Sequence, residues 1–254
     1  MEQTKMVEKA IEYMKEHIEE EITTEELANY VGYSTYHFIR IFKEITGVPP
    51  RHFLSAIRIE SSKQLLLHSS STHLKTLLSI GFRSIGSFSS RFKQFVGISP
   101  KKFRKEQDTY VTHLELYQEK KTNSGVQGYK KPPLMTCHIK TPDYFKGILF
   151  VGLFPRPIPD QRPIVGTAIS HTTRYCVFTD IPPGEYFVLA AGLRWGMNPK
   201  HYFLSEQSIR GKSDQISVKM DSILDVKVEL REPLPYDPPI LINLPLLLFE
   251  KDRK

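Results

Sequence analysis

A chain of 254 residues, 40% hydrophobic and 25% charged, has the composition of a globular protein with one large or two modest domains. No apolar run approaches the roughly 20 residues of a membrane helix, so no membrane partner is expected. The net charge of +7 is uneven: residues 1–30 hold three Lys/Arg against nine Glu, residues 31–105 thirteen against two acids, and the other 149 nineteen against seventeen. Such a local basic excess points to a polyanion. The first fifteen residues mix charges with apolar side chains, unlike a signal peptide. Cys137 and Cys176 are too few for a disulfide framework. A cytoplasmic protein with reduced thiols is the expectation.

In chain order, Met6, Val7, Ala10, Ile11 and Met14 lay one apolar stripe on an acidic first helix. Thr23 or Thr24 can cap a second helix, which stops at Val31-Gly32. Ser34 caps a third, Thr35 to Ile45, ending at Thr46-Gly47. Two short helices joined by a glycine turn form a helix-turn-helix pattern. Pro50 then opens a helix to about Leu67, with Phe53, Leu54, Ile57, Ile59, Leu65 and Leu66 apolar. At 1.5 Å per residue it is about 27 Å long, against about 34 Å for one turn of B-DNA. It can hold two helices one groove repeat apart.

The pattern recurs. Phe38, Phe42, Lys43, Gly47, Pro50 and Phe53 each precede their like by 50 residues: Phe88, Phe92, Lys93, Gly97, Pro100 and Phe103. Gly32-Tyr33 matches Gly81-Phe82 at 49, so the second turn is one residue longer. This is an internal duplication of one unit.

Residues 21–107 resemble the DNA-binding domain of the AraC/XylS transcription regulators. The resemblance is carried by Leu27-Ala28 with Gly32-Tyr33-Ser34, by Gly81-Phe82, by Phe88-Ser89-Ser90-Arg91-Phe92-Lys93, by Gly97-Ile98-Ser99-Pro100 and by Phe103-Arg104. It implies an all-α domain of seven helices over residues 1–110, with recognition helices in successive major grooves of double-stranded DNA. It also implies control of nearby promoters, with RNA polymerase as a partner. Thr76-Leu77 departs from the family pattern, in which an apolar residue is followed by alanine.

On the first recognition helix the candidate DNA contacts are Thr35, Tyr36, His37, Ile39, Arg40 and Lys43, with Phe38, Ile41 and Phe42 in the core. The Arg40 fork can donate two bonds to guanine O6 and N7 or sit on a phosphate. On the second the candidates are Arg83, Ser84, Ile85, Gly86, Ser87, Ser90 and Arg91. That set is poorer in base-reading groups and suits positioning. Lys93, Lys101, Lys102, Arg104 and Lys105 form a basic end suited to phosphate.

Composition changes after Tyr110. Residues 111–131 read as a linker and residues 132–254 as a mainly antiparallel β-sandwich. Strands are expected at Leu134–Ile139, Lys146–Leu153, Ile164–Ile169, Arg174–Thr179, Glu185–Ala191, Gln215–Lys219, Ile223–Leu230 and Ile240–Asn243. The run Leu244–Phe249 also reads as a buried strand. In Phe178-Thr179-Asp180-Ile181-Pro182-Pro183-Gly184-Glu185-Tyr186, Pro183 fixes φ and Gly184 permits a turn. The segment resembles the carboxypeptidase-regulatory, prealbumin-like sandwiches; a barrel-like effector-binding domain is the alternative. No metal cluster, cofactor motif or catalytic motif is visible in this half, so no enzyme is expected. An enzyme carrying a DNA-targeting module is the rival reading. Arg194 and Trp195 can stack on or pair with a small effector, or Trp195 can cap the core. Sensing, protein contact or dimerisation stay open for this half, as do monomer and homodimer.

Overall fold

The computed structural model describes residues 2–68, 80–119 and 132–251. The chain forms two compact units. The first comprises residues 1–105 together with Leu234–Ile242; the second holds Glu106–Pro233 and the chain from Asn243 onward.

In the first unit the apolar stripe of α1 (Glu2–Glu16) is buried as its 3.6-residue spacing requires. Thr23, rather than Thr24, caps α2 (Thr24–Val31). Its Oγ1 accepts from Glu26 N at 3.1 Å, and Glu26 Oε2 accepts from Thr23 N at 3.4 Å, a capping box. Gly32, at φ +79°, ends α2 in the left-handed conformation that glycine adopts without steric cost. Helix α3 spans Thr35–Thr46 and α4 spans Pro50–His68. Ser34 occupies the cap position of α3, but its side chain makes no capping bond. After the undescribed stretch come α5 (Ile85–Val96) and α6 (Pro100–Lys105). The expected helix containing Thr76-Leu77 lies outside the described residues, as does the test of a seven-helix total.

The duplication is physical. In the first half Phe38, Phe42 and Phe53 form a chain of rings at 5.5 Å and 5.5 Å. In the second, Phe88, Phe92 and Phe103 repeat it at 5.5 Å and 5.4 Å. All six rings are buried. Gly47 N donates to Lys43 O and Gly97 N to Lys93 O, closing α3 and α5 alike. The prolines that start α4 and α6 suit a first helical turn, which needs no N–H partner there.

Helix α4 carries a buried ion pair. Lys63, 1% exposed, places Nζ 2.8 Å from Glu60 Oε2 and donates to Ile240 O at 3.0 Å. Ile240, Leu241 and Ile242 are buried beside this unit's core without forming the expected strand. The Ile240 carbonyl accepts from a lysine instead of a ladder N–H, and Pro238, Pro239 and Pro245 remove donors on either side.

The second unit opens with α7 (Gln107–Glu119), so residues 111–119 are helix rather than linker. Tyr110, Val111 and Leu114 are its buried stripe, masked in the sequence by polar neighbours. Residues 120–131 of the expected linker lie outside the described residues. The strands are β1 (Leu134–Lys140), β2 (Gly147–Phe154), β3 (Gly166–Ser170), β4 (Tyr175–Thr179), β5 (Gly184–Arg194), β6 (Ile209–Lys212), β7 (Ile216–Val218) and β8 (Ile223–Glu229). One sheet has the order β4-β1-β8; the other runs β3-β2-β5-β6, with β7 also on β5. All pairings are antiparallel except β1–β8. Met135, Cys137 and Phe178 of the first sheet share one core with Leu149, Val151 and Val188 of the second. Cys137 faces Cys176 directly across β1 and β4. A hydrogen bond to Cys176, and then burial, push the Cys137 thiol pKa up.

Two further readings of this unit are corrected. Leu244–Lys251 is a helix, α8, started by Asn243, whose Oδ1 accepts from Leu246 N at 3.3 Å. At the 180–184 turn the left-handed residue is Asp180, at φ +55°, not Gly184. Gly184 serves close approach: a Cβ there would lie 2.9 Å from the Tyr186 hydroxyl, which donates to Pro182 O at 3.0 Å. Strand β6 escaped sequence reading because Ile209-Arg-Gly-Lys offers only one apolar residue.

Candidate nucleic-acid interface

Helix α3 buries Phe38, Ile41 and Phe42 and turns the opposite arc outward. Tyr36 is 80% exposed and Ile39 37%. Arg40 and Lys43 are exposed beside them, and Thr35 is half-buried at the helix start. Arg40 Nη1 lies 3.4 Å from Glu44 Oε2, one turn along the same helix. A solvent-exposed i,i+4 pair of this kind contributes only about 0.3–0.5 kcal/mol, so a stronger acceptor would displace Glu44 from Arg40. His37 is half-buried and stacked on Tyr33, ring centroids 5.4 Å apart. It holds the turn before α3.

Helix α5 has the same buried arc, Phe88, Phe92, Phe95 and Val96, but a different outward one. At the 50-residue offset Gly86 replaces Tyr36 and Ser90 replaces Arg40. Ile85 is 50% exposed. Ser84 and Ser87 are engaged with each other: Ser84 Oγ accepts from Ser87 N at 3.2 Å, and Ser87 Oγ donates to Ser84 O at 2.8 Å. Their hydroxyls therefore start the helix. Arg91 lies beside the ring of Phe95, 6.0 Å from its centroid, at the edge of the buried face. Arg83, the extra residue of the second turn, pairs with Glu21. Lys93, Lys101 and Lys102 are exposed.

Sequence reasoning missed three groups. Arg51 is exposed on α4 at the position that Lys101 holds on α6, which the repeat offset alone would have revealed. Glu44 holds Arg40, a pairing visible as i,i+4 spacing. Arg58 gave no sequence signal, because its partners lie about 40 residues away at Ile18 and Glu20.

In the second unit Arg194 pairs with Glu232 and lies 4.9 Å from the centroid of the Tyr144 ring. The Tyr144 hydroxyl donates to Glu232 Oε1 at 2.7 Å, and that bond, more than burial, raises the Tyr144 pKa. Trp195 is half-buried, its backbone N–H donating to Lys146 O at 3.0 Å. Among the described residues no group of three or more His, Cys, Asp or Glu is placed to hold a metal ion. No described helix is long and apolar enough to cross a membrane.

Residues 27–106 match the helix-turn-helix domain family model. An uncharacterized HTH-type transcriptional regulator of Staphylococcus aureus is 37% identical over 98 residues, covering 39% of this chain and 13% of that protein. The HTH-type transcriptional regulator ArgR of Pseudomonas aeruginosa is 33% identical over 97 residues, covering 38% of this chain and 30% of its own. The chain thus spans less than a third of the length of these relatives. An AraC-type DNA-binding-domain regulator of Chromobacterium violaceum has a solved structure. It is 30% identical with a TM-score of 0.39, covering 41% of this chain and 92% of that one.

Proposed function

We propose, from the helix-turn-helix domain that residues 27–106 carry, that this chain is a sequence-specific regulator of transcription that binds double-stranded DNA. The observation that carries the reading is the duplicated unit with its outward arcs. Tyr36, Ile39, Arg40 and Lys43 project from α3 with no buried partner among them, inside the stretch where the basic excess lies. An exposed aromatic, an aliphatic and an arginine fork are the groups that read thymine methyls and guanine edges. The matching HTH-type relatives are named as transcriptional regulators, which supports the same reading.

The two helices divide the work. Thr35, Tyr36, Ile39 and Arg40 read bases. Lys43, Arg83, Ser84, Ile85, Gly86, Ser87, Ser90, Arg91, Lys93, Lys101 and Lys102 position the duplex through backbone contacts. His37 supports the turn through its stack on Tyr33. The β-rich unit is the sensing or partner-contacting half. Two mainly antiparallel sheets that share one core support its prealbumin-like reading. A small anionic effector at Arg194 and Trp195 would have to take the place of Glu232.

Selection of bound sequences from a random DNA pool tests the function. A single enriched motif is the expected outcome, with its preference weakened by Arg40→Ala. A pool that enriches nothing overturns the reading.

A further inference from the structure

The side chain of Arg58 leaves the middle of α4 and meets both halves of the duplication. Its Nε donates to Ile18 O at 3.0 Å and its Nη2 to Glu20 O at 2.5 Å. Those carbonyls belong to the loop between α1 and α2, in the first half. The same guanidinium lies against Gly81, in the turn that leads into α5, in the second half. A Cβ on Gly81 would stand 2.5 Å from Arg58 Cζ, 2.6 Å from Nη2 and 2.7 Å from Nε. Gly81 also has φ +82°, so glycine is required there twice over. Next to this contact Glu21 pairs with Arg83, the residue by which the second turn exceeds the first. Burial lowers the Arg58 pKa while the Glu21 carboxylate raises it, and the group stays a cation at any physiological pH.

We infer that Arg58 is the positioning residue that fixes α5 relative to α3, and so sets the half-site spacing this protein accepts. The function, though not the geometry, rests on the DNA-binding reading. Helix α4 has 19 residues and is about 28 Å long. Covalently, the second half is tied to the first through α4 and residues 69–79. The Phe95 ring near the end of α5 packs on His52 in the first turn of α4, centroids 5.6 Å apart. A swing of about 15° about that contact would carry the start of α5, about 15 Å away, by about 4 Å, roughly one base-pair step. The planar guanidinium, bonded to the first loop and wedged under the second turn, blocks that swing. Ile18 and Glu20 supply backbone carbonyls, so the contact depends on the arginine and on loop geometry, not on the loop's side chains.

The test uses the full chain and the motif selected by the wild type, with one or two base pairs inserted into or deleted from its centre. Wild type is expected to lose about tenfold or more in affinity at every altered spacing. Arg58→Met is expected to bind the altered spacings within about threefold of the original, and a single isolated half-site as the wild type does. Arg58→Lys, which keeps the charge but not the fork, falls with Arg58→Met. Glu21→Gln, an exposed change that spares the fold, gives a smaller relaxation in the same direction and serves if the Arg58 variants unfold. An Arg58→Met protein with an intact circular-dichroism transition and unaltered spacing preference overturns the inference. Spin labels on Glu44→Cys and Gln94→Cys, at equivalent exposed positions on α3 and α5, decide the point without DNA. One narrow distance in the wild type that broadens in Arg58→Met is expected; identical distributions overturn the staple even where no DNA motif is found.

Discussion

The two halves of the helical unit share one interior and differ on their surfaces. Phe38-Phe42-Phe53 and Phe88-Phe92-Phe103 repeat ring for ring, and Gly47 and Gly97 close their helices with the same bond. Outward, Tyr36 and Arg40 of α3 face Gly86 and Ser90 as counterparts on α5. Duplication therefore preserved what packing demands, while the exposed arcs diverged in residue type, as the proposed reader and anchor would require. Burial constrains each ring to a volume, whereas an exposed position is constrained only by what it touches.

The largest test of that comparison concerns its shared interior. Phe42→Ala and Phe92→Ala are each expected to cost about 3–5 kcal/mol in urea unfolding of the full chain. A loss confined to one of the pair would break the equivalence of the cores. Nearly as large, Lys63→Ala leaves Glu60 as a buried charge without its lysine and deprives Ile240 O of its donor. About 3 kcal/mol of destabilisation is expected, by the same measurement; Lys63→Met together with Glu60→Leu should recover most of it. A smaller effect sharpens the surface contrast: Arg40→Ala should cost about 1–3 kcal/mol of base discrimination at one position. Ser90→Ala should change affinity less than about twofold, because surface substitutions away from special features stay within about 0.5 kcal/mol. Anisotropy titration against the selected site reads both. Smallest of all, Lys101→Gln or Lys102→Gln should leave sequence preference intact and lower the slope of log K against log salt by about 1. A shift in the preferred bases would mean those lysines read sequence.

Much of the first unit was legible because its signals are local. The stripe Met6-Val7-Ala10-Ile11-Met14, the glycine stops and the 50-residue offset all survive as packing. The outward arc of α3 was legible for the same reason. What stayed hidden was long-range. Arg58 finds Ile18 and Glu20, and Lys63 finds a carbonyl 177 residues away, pairings that no periodicity encodes. The stretch 240–251 misled for another reason: its apolar run suits strand and buried helix equally, and Asn243 capping α8 decided between them. Helix α7 was read as linker from residue 111 because only Tyr110, Val111 and Leu114 of its face are apolar among polar neighbours. At Asp180–Gly184 the residue types announced a turn, but not that Asp180 would bear the left-handed conformation or that Tyr186 would fold back over Gly184.

The division into reader and anchor is tested most directly on the selected DNA site itself, after footprinting has shown which half lies under each helix. Scrambling the bases beneath α3 should weaken binding by about thirtyfold or more, several lost contacts at about 1–3 kcal/mol each. Scrambling those beneath α5, with spacing kept, should cost no more than about threefold. Equal losses from the two halves, or a larger one beneath α5, would contradict the account.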